Sequence, residues 1–114
     1  MIFTDTHTHL CSEEFDQDRT EMIQRAIAAG VPRFFIPSID SSGTQKMYDL
    51  EAQFPDNVRL MIGLHPCYVK DNYLEELAHV EAQLGLHKFY AIGEIGIDLY
   101  WDKTTKKKKK TAFQ

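Results

Sequence analysis

The feature that most limits what this chain can fold into is an alternation. Short β-branched and aromatic runs take turns with stretches whose apolar residues recur at helical spacing. Ile2 to His7, continuing toward His9, reads as a strand rich in threonine, a residue that suits a pleated surface. Asp18 to Ala29 then sets Met22, Ile23, Ala26 and Ile27 on one helical face, with Gly30 as its stop. Val31 to Ile39 suits a second strand, its ends limited by two prolines. Ser42 and Gln45 have capping-box spacing ahead of Met47, Leu50 and Phe54, and Pro55-Asp56-Asn57 breaks that helix. Val58 to Leu64 is a third strand. Asn72 and Glu75 open a further helix, with Leu74, Leu77, Ala78 and Leu84 expected on its buried side and Gly85 at its end. Lys88 to Glu94 is a fourth strand. Strands and helices in this order imply parallel β-α-β units, an α/β fold.

The polar residues gather where the strands stop. The first ends in Asp5-Thr6-His7-Thr8-His9, the third in Gly63-Leu64-His65-Pro66, and the fourth in Gly93-Glu94-Ile95-Gly96-Ile97-Asp98. In a parallel α/β fold these ends share one face, the face on which such folds carry their chemistry. Residues two apart on a strand point the same way, so His7 and His9 can approach one metal ion. Glu94 can add a carboxylate from the same rim. Taken singly, each residue has a plainer reading. The histidine pair suits a turn, Glu94 an ordinary acid after a strand, and His65 a hydrogen-bonded structural histidine. His79 and His87 read as structural or solvent-facing. Cys11 and Cys67 have no evident activating partner for a nucleophilic role.

Charge narrows the partners. The net charge of -4 conceals an asymmetry, because all 17 acids lie in residues 1–102 while Lys103 and Lys106 to Lys110 crowd the end. The acidic body offers no broad basic face for a phosphate backbone, yet it attracts cations. Two cysteines are no disulfide scaffold, and no apolar run is long enough to span a membrane. The opening residues lack the basic start and apolar stretch of a signal peptide, so the expected compartment is the cytoplasm with reduced thiols.

Three segments together resemble the TatD-type family of metal-dependent deoxyribonucleases, a branch of the amidohydrolase-like β/α-barrel hydrolases. They are Asp5-Thr6-His7-Thr8-His9-Leu10, Gly63-Leu64-His65-Pro66, and Ala91 through Trp101. The resemblance implies a TIM-barrel (metallo-dependent hydrolase) type of fold, of which these residues supply the first four β/α units. Residues 1–114 are then the N-terminal half of the barrel domain, with 103–114 a cut-short, Lys-rich end. It also implies two divalent metal ions (Zn, Mg or Mn), with His7 and His9 on one and Glu94 bridging both. Glu94 and His65 are the expected catalytic residues, His65 toward substrate phosphate or behind the metal ligands. DNA is the implied substrate, its phosphodiester bonds hydrolysed by a metal-activated water. The family's remaining ligands, two histidines and an aspartate from later strands, have no counterpart here.

Other expectations follow from the departures. Asp5 and Asp98 are supporting groups or turn formers. Tyr100 and Trp101 either line the cleft or anchor the loop in the core. Five lysines in a row resist a packed helix, although Thr111 to Gln114 resembles a helix opening. A half-barrel exposes the edges of its first and fourth strands, so the chain is expected to be marginal, oligomeric or aggregation-prone. Two rival functions stay open: hydrolysis of an amide or lactone bond, and a non-catalytic fragment that binds metal and, through its lysine run, nucleic acid.

Overall fold

A computed structural model describes residues 1–114. Its four strands are β1 (Thr4–Asp5), β2 (Arg33–Ile36), β3 (Val58–Ile62) and β4 (Ala91–Ile92). They pair in parallel in the order β1-β2-β3-β4, with Asp5 opposite Phe34, Phe34 opposite Val58, and Met61 opposite Ala91. The helices are α1 (Arg19–Ala28), α2 (Thr44–Gln53), α3 (Tyr73–Leu86) and α4 (Lys106–Phe113). Short 3-10 turns occupy Glu13–Phe15, Ser41–Gly43 and Pro66–Tyr68. The parallel α/β order is the one the alternation implies, and the half-barrel is the one the resemblance implies.

The core lies between the sheet and the first two helices. Phe34 and Ile36 of β2 and Val58 and Leu60 of β3 meet Ile23 of α1 and Met47 and Leu50 of α2, all buried. Gly30 ends α1 in the left-handed region, at φ 99°, which a residue with a Cβ rarely adopts. The outer strands are shorter than their sequence suggests because each has one neighbour. Their bonding reaches beyond the regular ladder: Phe3 N–H donates to Gly30 O, Thr8 N–H to Phe35 O, and Gly93 N–H to Ile62 O.

Three expectations fail. No residue of α3 is fully buried, and Leu74 and Leu84 stay exposed. Instead α3 turns a polar stripe to α2 and the turn before it. Glu76 accepts from Ser41, His79 meets Thr44 Oγ1, Gln83 accepts from Tyr48, and His87 meets Glu51. These four residues fall on one helical face, and their partners, not the leucines, set the helix's rotation. Second, Ser42 and Gln45 form no capping box. Asp40 takes the Ser42 amide, and Gln45 turns to Asp49.

The third failure is the lysine run, which is helical. Neighbours along a helix diverge, so five consecutive ammonium groups do not share a face, and lysine is a good helix former. Lys108 pairs with Asp71. Lys109 is fully buried, donates to the carbonyls of Asp98 and Asp102, and lies 3.8 Å from both their carboxylates. No helix is long and apolar enough to cross a membrane.

Candidate metal centre

The site grows out of the ends of β1, β3 and β4. After β1, the Asp5 carboxylate accepts the amide of His7 at 3.1 Å and fixes the turn. Past that turn, outside the strand on which the sequence pattern set them, His7 and His9 come together with Nε2 atoms 3.3 Å apart. Glu94 follows β4, and backbone bonds hold its position. Its N–H donates to the carbonyl of Ser38 at 3.0 Å, and Ser38 N–H donates to Gly93 O at 3.0 Å. Ser38 is buried just past β2, so these bonds reach over the end of β3. The residue beneath is Gly63. A Cβ there would stand 2.6 Å from Glu94 O, and no side chain larger than hydrogen fits. The glycine is a condition of the glutamate's placement.

The Glu94 carboxylate faces all three rim histidines. Its Oε2 lies 3.2 Å from His7 Nε2 and 3.4 Å from His9 Nε2, and its Oε1 lies 3.0 Å from His65 Nε2. His65 Nδ1 accepts the Cys67 amide at 3.0 Å. In neutral His65 that leaves the proton on Nε2, beside Glu94 Oε1. His65 thus presents a donor edge to Glu94 and no free lone pair.

His7, His9 and Glu94 each offer one ligand atom, and these atoms lie within 4.8 Å of one another. Atoms ~2.0–2.1 Å from one tetrahedral centre are roughly 3.3 Å apart, and the three separations here are 3.3, 3.2 and 3.4 Å. Glu94 Oε2 is buried and makes no hydrogen bond. A buried carboxylate oxygen without a donor is costly, and a shared cation removes that cost. Burial pushes His9 below the usual imidazole value, reinforced by His7 and His65 and opposed by the Glu94 carboxylate. A neutral imidazole keeps the lone pair that a metal needs. The donor set fits a divalent ion on spacing and on chemistry.

The comparisons place the chain in a family. The family model described as TatD related DNase matches residues 4–114. The chain belongs to the TatD family. It is 35% identical over its whole length to YabD of Bacillus subtilis (strain 168), an uncharacterized metal-dependent hydrolase, and covers 44% of that protein. It is 29% identical over 96% of its length to the 3'-5' ssDNA/RNA exonuclease TatD of Dickeya dadantii, covering 41% of it. The crystal structure of the TatD homolog YjjV from Escherichia coli K12 superposes with a TM-score of 0.87 at 26% identity, over 97% of this chain and 43% of that one. The chain spans less than half the length of the relatives it matches.

The other candidates of this TatD chain fall away from the carboxylate. Asp98 accepts the amides of Trp101 and Asp102 and faces Lys109, which makes it a turn former and a helix anchor. Tyr100 and Trp101 stack edge to face and remain about four-fifths exposed, so the core-anchor reading is corrected. They follow β4, an edge strand of the sheet. His79 and His87 serve the α2–α3 contact. Both thiols are free, and burial pushes Cys11 up to about 11 and Cys67 upward as well. Ser38, Gly63 and Lys109 escaped the sequence reading. Only Gly63 carried a signal there, as the small residue just ahead of His65.

Proposed function

We propose that residues 1–114 carry the N-terminal half of a metal-dependent phosphodiesterase site acting on nucleic acid. The observation that carries this reading is the buried, unpartnered Glu94 Oε2 between His7 and His9. A divalent ion bound there supplies Lewis-acid charge to a phosphodiester and makes water a stronger nucleophile. His7 and His9 hold the ion through Nε2, and Glu94 supplies the anionic donor. His65 acts on Glu94, its Nε2 lying 3.0 Å from the second carboxylate oxygen and steadying it. Residues 1–102 hold all 17 acids, so a bound ion there would supply the positive charge that a phosphate needs. The name of the Dickeya relative supports single-stranded DNA or RNA as the substrate class, alongside the DNA that the family model's description carries. Of the lysine run, Lys109 is buried and Lys108 is paired, which leaves Lys106, Lys107 and Lys110 exposed.

The test is metal uptake by the chain and by His7→Ala and Glu94→Ala variants, followed by titration calorimetry with Zn²⁺ and Mn²⁺. Each substitution is expected to weaken binding by at least about tenfold. Equal affinity in all three proteins overturns the reading.

A further inference from the structure

Beside the metal centre, on the same rim, lies a cavity of about 520 Å³ between the turn after β1 and the turn after β2. His9 is one of its lining residues, so the cavity shares that residue with the proposed ion site. Its floor is apolar, with Ile36 and Met47 buried beneath it. The acidic residues Glu13, Glu14 and Asp40 are among its lining residues. The lining's single cationic side chain, Lys46, is already paired with Asp16 at 3.1 Å. Asp40 is held in place by the amide and hydroxyl of Ser42, which makes this part of the rim preformed. Tyr68, two-fifths exposed, adds an aromatic face.

We propose that this cavity is a nucleoside subsite, taking the sugar and base of a nucleic-acid strand whose phosphate lies at His7, His9 and Glu94. The inference rests on the phosphodiesterase reading above. The volume suits a small organic ligand. The acidic rim repels phosphate, so the charged part of a substrate stays outside with the ion and the uncharged ring goes in. Carboxylates accept from the exocyclic amines of adenine, cytosine and guanine, two N–H donors each, whereas uracil offers only its single ring N–H. An aromatic face stacks on any base. The subsite therefore gives a bound strand its polarity, and it favours amino-bearing bases.

Adenosine and cytidine carry no phosphate, so their binding can be measured without metal. Titrated into the 114-residue chain, they are expected to shift the methyl resonances of Ile36, Ile39 and Met47 saturably. Uridine should bind about fivefold more weakly. Ser42→Trp, at an exposed rim position, should weaken adenosine binding by about tenfold or more, with Zn²⁺ affinity unchanged. Absence of saturable shifts in the unsubstituted chain overturns the subsite whether or not the variant folds. So does adenosine binding that Ser42→Trp leaves intact. A chain that binds Zn²⁺ but no adenosine sinks the subsite alone. One that binds adenosine at these methyls but no Zn²⁺ sinks the metal reading, and with it the subsite's link to a phosphate at His7, His9 and Glu94.

Discussion

Gly63 decides where Glu94 sits, because the Glu94 carbonyl passes through the space a Cβ would fill. Gly63→Ala forces the two strand ends apart. It is expected to cost about 1–3 kcal/mol of stability and to weaken metal binding, read together by urea unfolding and calorimetry. Unchanged metal affinity would show that the close approach does not place the carboxylate. His65→Ala removes the group beside Glu94 Oε1 and no ligand atom of the triad. A loss of about tenfold in metal affinity with the fold retained is expected, and full affinity would assign His65 elsewhere. At this scale the histidine pair was legible as a His-x-His spacing at a strand end, although both residues lie past β1, where Asp5 fixes the turn, and not on the strand. The partner of His65 was not, since it depends on which nitrogen the Cys67 amide occupies. The Ser38 bridge was hidden for a similar reason, being a contact between strand ends far apart in sequence.

Among the elements, α4 and α3 depart furthest from their patterns. A run of lysines reads as a solvated, repelling segment, and only the fold reveals two carbonyls and two carboxylates waiting for Lys109. Removing one member of such a buried cluster is costly, so Lys109→Ala should lose about 3 kcal/mol, seen as a lower urea midpoint. Lys107→Ala, on the exposed side, serves as the control. Hydrogen bonds to Asp98, chiefly from the Asp102 amide, and to Asp102, chiefly from Thr104, hold both carboxyls below the usual carboxylate range. Their stabilisation is therefore complete above the unfolded value near ~4 and fades as the pH falls through the lower folded values. The urea midpoint should be flat at mildly acidic pH and drop below about pH 4. A midpoint that rises on acidification would contradict this assignment. For α3, leucines at helical spacing misled because burial depends on what faces the helix, and here α2 presents polar partners.

Across the whole molecule, the parallel strand order followed directly from the alternation of elements. The openness followed from the resemblance, because local patterns say nothing of how many strands complete a curved sheet. Only 18 of the 114 residues are buried, and the radius of gyration is 14.9 Å, against about 13 Å for a compact domain of this length. β1 and β4 each lack a second neighbour, and Ile92, Ile95 and Ile97 stand exposed beside β4. Unpaired edges with apolar flanks favour association. The chain should elute later as it is diluted in size-exclusion chromatography, and a concentration-independent monomer with cooperative melting would contradict that. The central claim is narrower than the assembly state: imidazoles after β1 and a carboxylate after β4 form one ion site. Electron paramagnetic resonance of added Mn²⁺ tests it most directly. Saturable loss of the free-ion signal that Glu94→Gln abolishes is the predicted result, and a signal that Glu94→Gln leaves unchanged would contradict the claim.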